Sequence, residues 1–494
     1  ECDPMMPMPG MECQLYKQNR ATVHLHGGFV PWISDGTPHQ WTTPANEDTP
    51  YPRGVSVRFV PDMWFENGNV LPGASTTNPN PAVATNDPGD GSLTFYYNNQ
   101  QSARLMFYHD HSFGITRLNV YAGEAAAYLL SDQIEQDLIN GTNLSGVNPD
   151  NLQILPGYGI PLVIQDKTFV DAFTILAQDP TWRWGTTPGT PNTGDLWVSS
   201  VYMPAQNPYS VEGVSAYGRW QYGAWFWPPT TGIEFPPVPN EYYDPNCDPQ
   251  LGWCEPPMRP NVPHPSMGME AFMDTPTVNG TAYPYLEVDP TVVRFRILNA
   301  ADDRFFNLHL YVADPSMESV DGRRNTEVRM VPAVATPGFP EKWSTDGREG
   351  GVPDPALMGP DWIQIGTEGG FLPEPAIIPP QPINWQGDVT LFNAGNVTDH
   401  SLLVGTAERA DVLVDFSNYA GKTLILYNDA PAAFPAIDPR YDYYTGHPDL
   451  TSSGGTPTTQ AGYGPNTRTL MQIRVRPAAG GGTGVVSSIQ VLNG

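Results

Sequence analysis

Positive charge is scarce in this chain: its 494 residues carry 24 lysines and arginines against 52 aspartates and glutamates, a formal net charge of -28. Such a surface repels phosphate backbones and anionic lipid, which argues against nucleic-acid or acidic-membrane binding. Cationic substrates would be attracted, although acidity of this size serves solubility first. No run of residues approaches the roughly eighteen consecutive apolar positions of a membrane span, so no spanning helix is expected. Cysteine is rare as well, with only four, at Cys2, Cys13, Cys247 and Cys254. Their even number fits two local disulfides, Cys2 with Cys13 and Cys247 with Cys254, and an extracytoplasmic location, while other pairings stay open. No leader precedes Glu1, so either it has been removed or the chain begins inside a longer precursor, and the second is expected.

What is plentiful is proline and glycine, 55 and 48 residues, set between short valine-rich runs. That pattern predicts many turns between short strands and an all-β fold. Strands are expected at Ala21 to His26, Val55 to Val60, Leu93 to Tyr97, Arg104 to His111 and Asn119 to Leu130. A further set is expected near Leu162 to Gln165, Val292 to Leu298, Phe306 to Val312, Trp362 to Gly366, Ala410 to Phe416, Thr423 to Tyr427 and Leu470 to Val475.

Nine histidines occur in the chain, and four fall into two His-X-His pairs, His24 with His26 and His109 with His111. Side chains alternate along a strand, so residues two apart share a face. The run Leu105, Phe107, His109, His111 therefore carries apolar side chains into a core and imidazoles at its end. Neutral imidazole is the commonest transition-metal ligand and suits copper, zinc, iron and nickel. Gly27 and Gly28 clear space beside the first pair. Satisfied core histidines are the plainer alternative for one pair, and a poorer one for both.

The strings ATVHLHGG (21–28), Ser34-Asp35-Gly36 and FYHDHSFGITRLNVYAG (107–123) resemble the multicopper oxidases, in the branch of spore-coat laccase, bilirubin oxidase and the large manganese oxidases. The resemblance continues through PLVIQDKT (161–168), TVNG (277–280), YLEVDP (285–290), RFRILNA (294–300), IQIGTEGG (363–370) and ERADVLVDF (408–416), and so covers most of the chain. It implies tandem cupredoxin-like Greek-key β-sandwiches, the family's first and middle domains. Residues 1–133 would be the first, N-terminally incomplete. A connector at 134–158 would lead to a second at 159–475, enlarged by an aromatic-rich insertion at about 177–267, with a Gly-rich linker at 476–494 towards a missing C-terminal domain.

By the same resemblance His24 would bind the type 2 copper, and His26, His109 and His111 the type 3 pair, of a trinuclear cluster that reduces O2 to water. The family's His-Cys-His string, which holds the type 1 copper, is not in this sequence. A partner polypeptide carrying the third cupredoxin domain would have to supply it, with the facing ligands. Asp35 would be a proton relay, or else simply caps a turn with Gly36. Asp110 would orient a ligand or be a surface carboxylate, and His39 would be a surface imidazole. The reducing substrate would be a phenol, a pigment or a metal ion such as Mn(II). Met5, Met6, Met8 and Met11 would form a packed loop or a Cu(I) loop. A catalytically silent copper-binding or structural scaffold is the alternative function, and a zinc hydrolase a weak third.

Overall fold

The computed structural model describes residues 19–44, 93, 95–173, 175–178, 185–187, 189–197, 244–246, 272–319, 322–432, 434, 442, 444–449, 458–462 and 464–478, with short strand pieces at 65–66, 69–70, 202–205, 217–220, 238–239 and 258–259. All four cysteines, the methionine loop, the expected strand at Val55 to Val60 and most of the aromatic insertion lie outside the described residues. The fold is all-β, with few and short helices among the described residues. The chain divides into two compact units, Glu1–Asp132 and Gln133–Gly494.

In the first unit, strand β1 (Val23–His26) pairs with β2 (Arg104–Asp110), which pairs in turn with β3 (Ala125–Leu130), all antiparallel. Leu25, Met106 and Leu130 form a small core on one face, with Tyr97 and Tyr128 against it. Two expectations change here. Leu93 to Tyr97 carries no strand among its described residues. The run Asn119 to Leu130 is broken in two, with helix α1 at Thr116–Ala122 before β3. Gly123 explains the break: at φ 118 it ends the helix, its N–H reaching the Asn119 and Val120 carbonyls, a left-handed cap that glycine adopts without penalty.

The second unit is a two-sheet sandwich. Its larger sheet contains β4 (Ile160–Lys167), β5 (Thr275–Val278), β6 (Thr281–Ala282), β8 (Val292–Asn299), β10 (Trp362–Thr367), β11 (Gly370–Ile378) and β13 (Arg409–Asp415), in the order β6-β5-β4-β8-β13-β10-β11. The smaller holds β7 (Tyr285–Val288), β9 (Phe306–Val312), β12 (Leu402–Val404), β14 (Thr423–Asn428) and β15 (Thr469–Val475), in the order β7-β15-β14-β9-β12. Inward residues of both sheets, among them Phe295, Ile297, Leu308, Val412, Leu426 and Ile473, make one continuous core, as expected of facing sheets.

The stretch 134–158, expected as a connector, instead opens the second unit as packed structure. Helix α2 (Gln133–Asn140) buries Glu135 completely. Its carboxylate meets Arg294 at 2.9 Å and also pairs with Arg296, while Arg294 makes two bonds to Asp411. Arg294 and Arg296 alternate with the core residues Phe295 and Ile297 along β8, so the strand's period of two sends the guanidinium groups to the opposite face of the sheet.

Candidate metal centre

The antiparallel register of β1 and β2 sets His24 opposite His109 and His26 opposite Phe107. Directly opposed residues share a face, so three imidazoles and a phenyl ring project together from two strands. Phe107 stacks on the His26 ring at 4.6 Å and 22°. On β3, Ala125 and Ala127 stand opposite His109 and Phe107, and their small side chains leave that face open. His111 lies one residue beyond the end of β2, its N–H bonded to the Thr22 carbonyl at 3.0 Å. Its ring centroid is 5.0 Å from that of His24 and 6.0 Å from that of His109.

Each ring is oriented by something it touches. The Nδ1 of His24 lies 2.6 Å from the Asp35 carbonyl oxygen, and that of His109 lies 2.6 Å from the Asp110 carbonyl oxygen. Donation from Nδ1 in both rings leaves the Nε2 lone pairs available. The Nε2 of His109 is 3.2 Å from Nδ1 of His26. Burial lowers the pKa of His109 below the ordinary imidazole value, with His24 and His111 adding to the effect and the bond to Asp110 opposing it, which favours the neutral, ligating form.

The turn that serves His24 depends on Gly36. Its φ is 74, and a Cβ there would stand 2.6 Å from the Val23 carbonyl oxygen and 2.9 Å from the His24 Cα. Only glycine lets the turn approach β1 closely enough for the Asp35 carbonyl to reach the ring. The carboxylate of Asp35 is 54 % exposed, with Oδ1 3.4 Å from His24 Nδ1, so it is the main chain, rather than the carboxylate, that holds the imidazole most closely.

Asp110 is no surface carboxylate, being 2 % exposed. It accepts from the Thr22 N–H and from both the N–H and the hydroxyl of Ser112, which braces the end of β2 between the two ligand positions. His39 is exposed, its ring 5.2 Å from Phe113. A further residue, unread in the sequence, is Gln101: its amide donates to the Gly27 carbonyl and accepts from the Phe29 N–H, clamping the turn after His26. Nothing in a lone glutamine some seventy positions away signals that contact.

Nitrogens of His24, His26 and His109 lie within 4.8 Å of one another, the one group of its kind among the described residues. Metal–nitrogen bonds of about 2.0–2.1 Å put neighbouring ligand nitrogens about 3–4 Å apart, so the His26–His109 spacing suits one ion. The donor set is imidazole throughout, and His111 Nδ1 is buried with no hydrogen-bond partner. These residues fit a transition metal. The singly placed His309, His400 and His447 bond instead to Asp429, the Ser401 carbonyl and the Tyr444 carbonyl.

A two-sheet β-sandwich preceded by a smaller sheet bearing paired imidazoles defines the class: an all-β protein with a candidate metal centre. Sequence comparison carries the identification further. Over 411 residues the chain is 26 % identical to a laccase of Bacillus stratosphericus, covering 83 % of this chain and 44 % of that one. A laccase of Bacillus subtilis matches at 24 % over 414 residues, 83 % and 43 % of the two chains. A bilirubin oxidase of Albifimbria verrucaria matches at 34 % over 124 residues, 24 % and 19 % of the two. No family model matches. The McoA multicopper oxidase of Aquifex aeolicus superimposes with a TM-score of 0.39 at 17 % identity, over 96 % of this chain and 55 % of that one, too loosely to bear on the assignment. Over most of its length the chain is similar to laccases and multicopper oxidases, at 22–26 % identity. It spans less than half the length of the two laccases.

Proposed function

We propose that this chain forms one wall of a trinuclear copper cluster in a multicopper oxidase that takes electrons singly from a reducing substrate and delivers four of them, with four protons, to O2, giving two waters. The observation that carries this reading is the convergence of His24, His26 and His109 nitrogens in a chain of which 83 % aligns with laccases. His24 is assigned to the type 2 copper, and His26, His109 and His111 to the type 3 pair. Copper bound there supplies one-electron redox chemistry.

The chain's own residues hold and orient. The Asp35 and Asp110 carbonyls fix which nitrogen of His24 and His109 faces the metal, a positioning that raises ligand basicity. Phe107 holds the ring of His26. The Asp35 carboxylate is assigned the passing of protons inward from solvent, a role supported by its half exposure and its 3.4 Å distance from His24 Nδ1.

The facing ligands and the type 1 copper are assigned to polypeptide bearing a third cupredoxin domain with a His-Cys-His string. The electron donor is a phenol, a pigment or a metal ion. The acidity of the chain favours the approach of a cation such as Mn(II). An extracytoplasmic setting accords with the even cysteine count.

Metal analysis with absorption and electron paramagnetic resonance spectroscopy on the whole assembly tests the reading. About three or four coppers and an intense blue band are expected. His109→Ala should lose cluster copper and oxygen reduction together while leaving the blue band. Zinc, or no metal, in place of copper overturns the assignment, and copper without oxygen reduction favours the silent scaffold.

A further inference from the structure

The second unit holds a cavity of about 370 Å3, a size typical of small-molecule sites, built from residues that the histidine centre does not use. Its charged lining consists of the carboxylates of Asp346, Glu349, Asp429 and Asp442 and the guanidinium groups of Arg348 and Arg468. Which of these charges an occupant meets depends on how each is already held.

The two cations are engaged. Arg348 donates to both oxygens of Asp346, to the Ile383 carbonyl and to the Asn384 side chain. Arg468 is buried, lies over the Tyr444 ring at 3.7 Å, and stands 3.4 Å from Asp442. The two buried aspartates have partners as well: Asp442 also faces Arg304 at 3.4 Å, and Asp429 faces His309 at 2.9 Å.

Glu349 differs from all of these. Its side chain is exposed, and its carboxylate makes no hydrogen bond or ion pair with the described residues. Burial raises the Tyr444 phenol above its ordinary pKa and Arg468 opposes the rise, while the Asp442 and Glu349 charges add to it. The Glu349 carboxylate is therefore within electrostatic reach of a ring that lines the cavity. In the pair of Asp346 with Arg348 the acid is the outer member, 52 % exposed against 21 %. The accessible charge is negative.

The rest of the lining is apolar. Met330, Val352, Pro353 and Pro431 stand in it beside the rings of Trp385 and Tyr444. Such a surface favours a hydrophobic body, and a carboxylate without a partner favours a positive group at one end of it. We propose that this cavity binds a small organic cation, an ammonium group carried on an apolar body.

Titration of the full chain with phenethylammonium, 2-phenylethanol and 3-phenylpropanoate, probes of like shape and different charge, tests this. The ammonium should bind saturably with Kd of about 1 mM or tighter, and the other two more weakly. Glu349→Gln, a change at an exposed side chain, should weaken the ammonium about 3- to 5-fold. Glu374→Gln, on the exposed part of β11, should not, a contrast that separates this cavity from the general attraction of an acidic chain for cations. With methionine methyl groups labelled for magnetic resonance, the signal that Met330→Leu removes should shift on saturation with the ammonium. The proposal is overturned if the ammonium does not bind, if the alcohol or the carboxylate binds as tightly, if Glu349→Gln weakens binding no more than Glu374→Gln, or if the Met330 signal stays unmoved.

Discussion

Gly36 shows how a single residue can set a site without touching a metal. A methyl group there would have to push against the Val23 carbonyl 2.6 Å away, and would also sit on a backbone with φ 74. Both penalties fall on the turn that carries the Asp35 carbonyl to His24. Gly36→Ala is therefore expected to destabilise the fold by about 1–3 kcal/mol, read as a lower midpoint in thermal unfolding, and to weaken copper retention in the same sample. An unchanged midpoint would mean the turn can withdraw from β1 at no cost. The sequence displayed this residue as part of Ser34-Asp35-Gly36, yet gave no sign that the neighbouring carbonyl, more than the carboxylate, would hold the imidazole. That distinction depends on backbone geometry, to which side-chain identity is blind.

The elements divide by how local their cause is. Strands such as β9, β13 and β14 announce themselves through apolar runs of the right length, and their bounds in the structure agree with the sequence to within a residue. The stretch after residue 118 misleads because Leu118, Val120 and Tyr121 have strand-like composition, while the terminating Gly123 acts over only one turn. Helix α2 was invisible for a different reason. Five of its eight residues are polar, and what holds it is the pairing of Glu135 with arginines some 160 positions away. Removing one partner from a buried ion cluster strands the others. Glu135→Ala is expected to cost about 3–5 kcal/mol, measurable as a reduced urea midpoint at unchanged m, whereas a loss below about 1 kcal/mol, the value of an exposed pair, would place the cluster in contact with water.

For the whole molecule, a net charge of -28 means that carboxylates repel one another across the surface. Salt screens that repulsion, with a Debye length near 8 Å at physiological ionic strength. The thermal midpoint should accordingly rise by a few degrees, about 2–4 °C, between low and physiological salt, as followed by differential scanning fluorimetry with sodium chloride. A midpoint that fell would show that attractive ion pairs, of the kind seen at Arg329 with Asp314 and Asp354, outweigh the net repulsion.

Composition and periodicity by themselves determined that the chain is built of strands, and the paired histidines, spaced by two, determined which side chains share a face. These are local consequences of turn chemistry and of backbone alternation, so no partner in space is needed to read them. Only the tertiary structure decided that the two pairs meet, since the register of β1 against β2 brings His24 to His109 across 85 residues of chain. It alone also decided that Asp110 is an internal brace and that Glu135 is buried. Those outcomes follow from packing between segments distant in sequence, where the energy of a contact belongs to two places that the order of residues does not relate.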